Sequence, residues 1–291
     1  MKKFLSLVLA LVMTMSLVTI SAGAKDFSDN ADIAYDEAVA VVSAAGIIDG
    51  YTDGSFRPEA KLTRGAAAKI ICNMILGTTT AAELAADTAP YPDVPTNHTF
   101  AGYIAYCQKE GIISGYADGN FYPGNPLTGY AFMKMLLCAL GYNADVEGYT
   151  GANWSINVAK QALAIGLEDD LATAFNGTKQ VTREEACLYA FNTLQAVMVD
   201  YSSKTEVNTG NAVVTISGSR FDVENNTKTN GNIEKSDGLM EFAEKYFDDL
   251  EAAGYSDVDV AVSASGITGV SAKKGAITVN FDVEIVPAAE V

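Results

Sequence analysis

A thirteen-residue stretch occurs twice in this chain. Residues 46–58 read GIIDGYTDGSFRP and residues 111–123 read GIISGYADGNFYP, 65 positions apart with nine of the thirteen identical. The same offset carries Leu62-Thr63 onto Leu127-Thr128 and Lys69 onto Lys134. A weaker third copy aligns Gly166-Leu167 with Gly111-Ile112, and Val181-Thr182-Arg183-Glu184-Glu185 with Leu62-Thr63-Arg64. Repetition at this period means tandem supersecondary units, each too small to bury its own apolar face and stable only when stacked on its neighbours.

Each unit reads as helix–loop–helix. Tyr35, Ala38, Val39, Val42 and Ala45 recur at helical spacing, which predicts an amphipathic first helix. Gly46 follows, where a left-handed helix end favours glycine. Ile47-Ile48 should plug the loop into the core. Asp53-Gly54 and Asp118-Gly119 are turn dipeptides, and Pro58 and Pro123 keep the loop out of helix. Thr63, Thr128 and Thr182 stand where the second helix needs an N-cap. Thr182 with Glu185 three residues on is a capping box.

The 291 residues are 49% hydrophobic, enough to bury a sizeable core, and carry a net charge of −17. Such a surface repels nucleic acid and anionic lipid alike. With one histidine, His98, any site built on two His ligands is excluded; His98 is expected in an exposed loop. At the N-terminus, Lys2-Lys3, an uncharged and mostly apolar run over 4–20, and small residues at Ala22 and Ala24 predict an export signal over 1–24. Its removal takes Lys2 and Lys3 and brings the net charge to −19. No later segment is long and apolar enough to span a bilayer, so the mature chain is expected to be exported and not transmembrane. Cys72, Cys107, Cys138 and Cys187 raise the question of disulfides. Their wide spacing and apolar helical contexts favour four small buried side chains.

These motifs resemble the S-layer homology family. Its pattern is an F-x-D-V opening, a first helix starting at an aromatic, G-I-I-x-G-Y-x-D-G-x-F-x-P, then [IL]-T-R-A-E and a second helix ending near L-G. Here the openings are Phe27-Ser28-Asp29 and Tyr91-Pro92-Asp93-Val94, and the endings are Leu76-Gly77 and Leu140-Gly141. The resemblance implies a mainly α fold of three helix–loop–helix repeats in a pseudo-threefold bundle: repeat 1 over 25–77, repeat 2 over 88–142 and a degenerate repeat 3 over 149–200. It also implies a function, non-covalent anchoring at the cell surface. The grooves between such repeats bind secondary cell-wall polysaccharide, often pyruvylated. By the same resemblance Arg64 and Arg183 face the acidic saccharide, Gly50 and Gly115 let the backbone approach the sugar, and Trp154, Asp29 and Asp93 are further candidate ligand-binding residues. A guanidinium suits a carboxylate because it donates two parallel hydrogen bonds.

The departures from the pattern matter. Thr128-Gly129-Tyr130 lacks the arginine, Ala66 replaces the motif Glu, and unit 3 has lost G-Y-x-D-G, so one or two working grooves are expected rather than three. Each residue also has a plainer reading. The arginines can pair with Glu59, Glu184 or Glu185, or cap a helix. Trp154 can be core, and Asp29 and Asp93 can order a loop. A calcium reading of the loop from Asp49 to Glu59 fails at Tyr51, where a third ligand would stand.

Past residue 200 the texture changes. Residues 201–210 read as a polar linker and 211–291 as a small α+β domain: a strand over 212–216, a helix capped by Ser236 or Asp237 with Leu239, Phe242, Ala243, Tyr246, Phe247 and Leu250 on one face, and alternating strands around 258–262 and 277–285 joined at Lys273-Lys274-Gly275. It shows no nucleophile motif and no phosphate loop; contact with another surface protein is one use for it. No cofactor, metal or catalytic residue is expected. Two function classes compete: a non-catalytic surface-anchored protein, and a wall-active enzyme (a glycan hydrolase) or adhesin with an anchoring module. A hydrolase needs two positioned carboxylates in a cleft, for which about 80 residues leave little room, so anchoring is preferred.

Overall fold

The computed structural model describes residues 27–202 and, beyond them, 205–208, 213–216, 218–224, 239–242, 255–263, 266–274 and 277–282. The export signal expected over 1–24 lies outside the described residues. Among the described residues a 3₁₀ turn at Asn30–Asp32 precedes six helices: α1 (Asp36–Ala44), α2 (Arg64–Ala82), α3 (Ala101–Lys109), α4 (Gly129–Ala139), α5 (Trp154–Ala164) and α6 (Arg183–Leu194). The architecture is mainly α, and among the described residues the β-strands lie in the C-terminal region.

Helix ends follow the sequence signals closely. After α1, α3 and α5, Gly46, Gly111 and Gly166 take φ of 70°, 71° and 72°. Each donates its N–H back three residues, and the next residue donates back five: Ile47 to Val42, Ile112 to Cys107, Leu167 to Ala162. This is the Schellman closure, which favours glycine because the left-handed turn crowds a Cβ. It drives Ile47, Ile112 and Leu167 into the core, each 3% exposed or less. Thr182 and Glu185 form the reciprocal capping box at 3.2 and 2.8 Å. Thr63 caps through Ala66 N–H at 3.3 Å, whereas Thr128 occupies the N-cap of α4 without a side-chain bond. Helix α2 breaks at Gly77, where φ is 73° and ψ 160°, and resumes to Ala82.

The units interlock rather than fold as separate hairpins. The first helix of each packs on the second helix of the preceding unit: α3 on α2, α5 on α4, and α1 on α6, which closes a ring. At the centre, Leu62 N–H bonds Val181 O, Val181 N–H bonds Leu127 O, and Leu127 N–H bonds Leu62 O, at 2.9 to 3.0 Å. All three side chains are buried. The free N–H groups opening each second helix are taken by the next unit's loop. Arg64 and Gly65 bond Asn125 and Pro123 carbonyls, Gly129 and Tyr130 bond Lys179 and Gly177, and Arg183 and Glu184 bond Ala60 and Pro58. The threefold pattern is therefore written in the backbone, and unit 3 keeps it without the loop motif.

The region after residue 194 departs from expectation. Residues 205–208, read above as linker, form a strand. Strands β1 (Val199–Tyr201) and β4 (Arg220–Asp222) pair outside β2 (Thr205–Asn208) and β3 (Val213–Ile216). Residues 239–241, read above as the first turn of a helix, instead form β-bridges to Glu224 and Val197, and Phe242 is 3₁₀. Met198 N–H bonds Met240 O, Met240 N–H bonds Val223 O, and Val223 N–H bonds Met198 O, at 2.8 to 2.9 Å. Phe242 is fully buried. Helical periodicity there is overridden by pairing with 196–198 and 223–224; the remainder of the expected helix lies outside the described residues. Val199 N–H bonds Leu140 O, and Tyr201 and Arg220 both reach the Glu147 carboxylate, at 2.7 and 3.0 Å. Burial and the Glu147 bond push the Tyr201 hydroxyl up to about 12. The start of the C-terminal region is thus part of the helical body. Beyond it, β5 (Tyr255–Ser263), β6 (Gly266–Lys274) and β7 (Ile277–Asp282) form an antiparallel sheet in sequence order. Lys273 and Lys274, read above as turn, instead pair with Thr278 and Ile277 at the end of β6; β6, rich in Gly, Ser and Ala, is a strand without the alternation that marks its neighbours.

Candidate functional site

The motif arginines face the loop of the following unit. Arg64, first residue of α2, donates Nε–H to Phe121 O at 2.8 Å and Nη2–H to Ser114 O at 3.0 Å. Arg183, first residue of α6, repeats this on unit 1, to Phe56 O at 2.9 Å and Asp49 O at 2.6 Å. Each guanidinium lies over rings, Arg64 near Phe121 and Tyr116, Arg183 near Phe56 and Tyr51. Burial lowers the pKa of both, though an arginine stays charged. Neither pairs with Glu59, Glu184 or Glu185: the arginines stitch loops to helices by charged hydrogen bonds to carbonyls.

Asp29 and Asp93 order the loops. Asp29 accepts Phe56 and Arg57 N–H, both at 2.7 Å, and Asp93 accepts Phe121 and Tyr122 N–H at 2.8 and 2.6 Å. These bonds hold Arg57 and Tyr122 at φ +57°, a conformation costly for a side chain with a Cβ. The Phe56 N–H bond above all keeps the Asp29 carboxyl below the usual range. Gly50 and Gly115 also have an internal reason. A Cβ at Gly50 would meet the Phe27 ring at 2.5 Å, and one at Gly115 the Tyr91 ring at 2.7 Å. The opening aromatic of units 1 and 2, packed on the loop phenylalanine at 5.1 and 5.2 Å between ring centroids, fills the space the glycine leaves. These four residues build the loops, and their packing explains the motif without a ligand.

A cleft of about 110 Å³ remains where three units meet. Arg64 comes from unit 1, Ser114, Ala131, Lys134 and Met135 from unit 2, and Trp154 from unit 3. Trp154 is half-buried, packed on the core, and also lines the cleft. Lys134 was visible in the sequence as the partner of Lys69 in the repeat register; position in the register was the signal, but its place beside an arginine from another unit is not local information. Exposed Tyr116 borders the same loop.

The other two junctions differ. At the second, the register supplies Arg183, Lys69 and Phe100, but Asp49 replaces Ser114 beside the guanidinium and Phe100 lies where a Cβ on Gly65 would touch it at 2.5 Å. At the third, Gly129 replaces the arginine and Leu188 the lysine. The loop of unit 3 has closed onto the space, so a Cβ at Gly129 would meet Gly177 Cα at 3.0 Å and the Phe175 ring at 3.2 Å. A cavity of about 40 Å³ is left beside the Lys179–Glu185 ion pair. His98 is half-buried rather than exposed, its Nδ1 accepting Phe100 N–H at 3.1 Å.

A closed ring of helix–loop–helix units with an open cleft at one junction defines a repeat-built helical module. Residues 25–68 and 90–129 each match the S-layer homology domain family. It is 29% identical over 182 residues to a surface layer protein of Brevibacillus choshinensis, covering 60% of this chain and 16% of that one. It is 29% identical over 210 residues to a cell surface protein of Thermoanaerobacter kivui, covering 71% and 26%. A relative in Bacillus anthracis is named an uncharacterized cell wall amidase, with 29% identity over 153 residues, 50% of this chain and 28% of that one. The chain thus spans only 16% and 26% of the two surface relatives just named. Its place is the cell wall or cell surface. Among the described residues no helix is long and apolar enough to cross a membrane.

Proposed function

We propose that the chain is a non-catalytic anchor that holds secondary cell-wall polysaccharide in the Arg64–Lys134–Trp154 cleft. The observation that carries this reading is the cleft itself, where two cations and an indole from three units converge on one opening. Arg64 uses two of its five N–H donors on carbonyls, which leaves donors for an acidic substituent such as a pyruvyl carboxylate. Lys134 supplies a second positive charge, and Trp154 an apolar face of the kind sugars stack on. Arg183 at the second junction is a weaker candidate, being only 9% exposed and set beside Asp49. Unit 3 is read as a degenerate repeat of the same family because it keeps the central backbone triangle and the capping contacts. Any surface-protein contact belongs to the residues beyond 201.

The mature chain should pellet with cell-wall sacculi and stay in solution when the sacculi have been stripped of their secondary polysaccharide. Equal binding to both would reject the polymer. Incubation with purified wall polymers should release no sugar or peptide; release would favour the wall-enzyme reading suggested by the amidase relative.

A further inference from the structure

We propose that Cys72 and Cys107 are a disulfide-forming pair that staples repeat 1 to repeat 2. Cys72 lies on α2 and Cys107 on α3, the helices that pack across the junction of the two units. Their sulfurs are 3.6 Å apart and both side chains are fully buried. Each thiol also reaches a carbonyl of the opposite helix, Cys72 Sγ to Tyr103 O at 3.6 Å and Cys107 Sγ to Ala68 O at 3.7 Å. Among the described residues no other pair of cysteine sulfurs is in such contact. The bond needs an S–S distance of about 2.05 Å, so the sulfurs must close by roughly 1.5 Å, which side-chain rotation on facing helices supplies. A cell-surface protein meets conditions in which disulfides persist.

The chemistry is thiol–disulfide exchange with a disulfide reagent, R–S–S–R. One cysteine thiolate attacks a reagent sulfur; the reagent S–S bond breaks and one R–SH leaves after taking a proton. The second cysteine thiolate attacks the cysteine sulfur of the mixed disulfide and expels the second R–SH. Two electrons pass from the cysteine pair to the reagent. In the folded ring the step is slow, because the sulfurs are inaccessible and the bond to Cys72 together with burial pushes the Cys107 thiol upward, away from the reactive thiolate. Closure therefore belongs to folding, before α2 and α3 seal the pair. The bond then limits the unfolded chain between positions 72 and 107 and fixes one junction of the ring.

The test is to refold the mature chain in a glutathione/oxidised-glutathione buffer, denature it, alkylate free thiols and map peptides by mass spectrometry. Two of the four thiols should be protected, the linked peptides should contain Cys72 and Cys107, and reductant should lower Tm by roughly 5–10 °C. A Cys138→Ser/Cys187→Ser variant should behave the same. A Cys72→Ala/Cys107→Ala variant should fold by circular dichroism with a Tm that ignores reductant. Four alkylated thiols in the refolded and then denatured wild type, or a link mapped to any other pair, would overturn the proposal. The wild-type peptide map decides even where the alanine variant fails to fold.

Discussion

Side chains that look equivalent in the motif hold unequal parts of the ring. Asn73 and Asn192 occupy matching places on α2 and α6, and each Nδ2 bonds two carbonyls of its own unit's glycine turn. Asn192 reaches Leu167 O at 3.1 Å and Asp169 O at 2.8 Å; Asn73 reaches Gly46 O and Ile47 O at 3.2 and 3.1 Å. Asn192→Ala leaves those buried carbonyls short of a donor, and urea unfolding should show a loss of about 1–3 kcal/mol. Gly115→Ala places a Cβ 2.7 Å from the Tyr91 ring and 3.0 Å from Asn120 O. It should also destabilise by about 1–3 kcal/mol, while the folded fraction keeps its affinity for wall polymer. A variant of unchanged stability that no longer bound would return Gly115 to the sugar.

At the scale of elements, ring closure between α6 and α1 depends on Glu184. Its carboxylate accepts Ala34 N–H at 2.8 Å while the residue is 5% exposed. Burial raises its pKa above the usual 4.5, with nearby Glu59 adding to the rise. A carboxyl raised in the folded state binds its proton more tightly there than in the unfolded chain. Stability is therefore fullest below about 4.5 on this account and declines as pH rises through the folded value. Glu184→Gln keeps an acceptor for Ala34 and removes the titration, so its Tm against pH should be flatter over that window than the parent's. An unchanged slope would place the titration elsewhere. The element-level fold was legible where the cause is local: the Schellman glycines, the Thr182–Glu185 box and the Asp-Gly turns all stood where the sequence put them. Long-range causes were not legible. Which helix α1 packs on, that 239–242 pairs with 196–198, and that Arg64 serves the next unit's loop depend on residues tens to more than a hundred positions away.

Across the whole molecule, two properties follow from a closed and acidic ring. Helix α1 has its partner in α6, not in its own unit, so residues 25–77 alone should give an unfolded circular dichroism spectrum, although they hold a complete motif. The −19 expected of the mature chain opposes approach of an acidic polymer, but at physiological salt the Debye length is about 8 Å and that repulsion is screened. Wall affinity should hold steady or rise from low to physiological salt; a steep fall would require a cationic patch. Junctions of unequal chemistry lead to the most direct test of anchoring through the first cleft. Equilibrium binding of the mature chain to sacculi would be measured for Lys134→Ala with Trp154→Ala, and for Lys179→Ala at the collapsed third junction. Anchoring through that cleft predicts at least a tenfold loss in the first variant at unchanged helix content, and no change in the second. Equal affinity in all three proteins would contradict it.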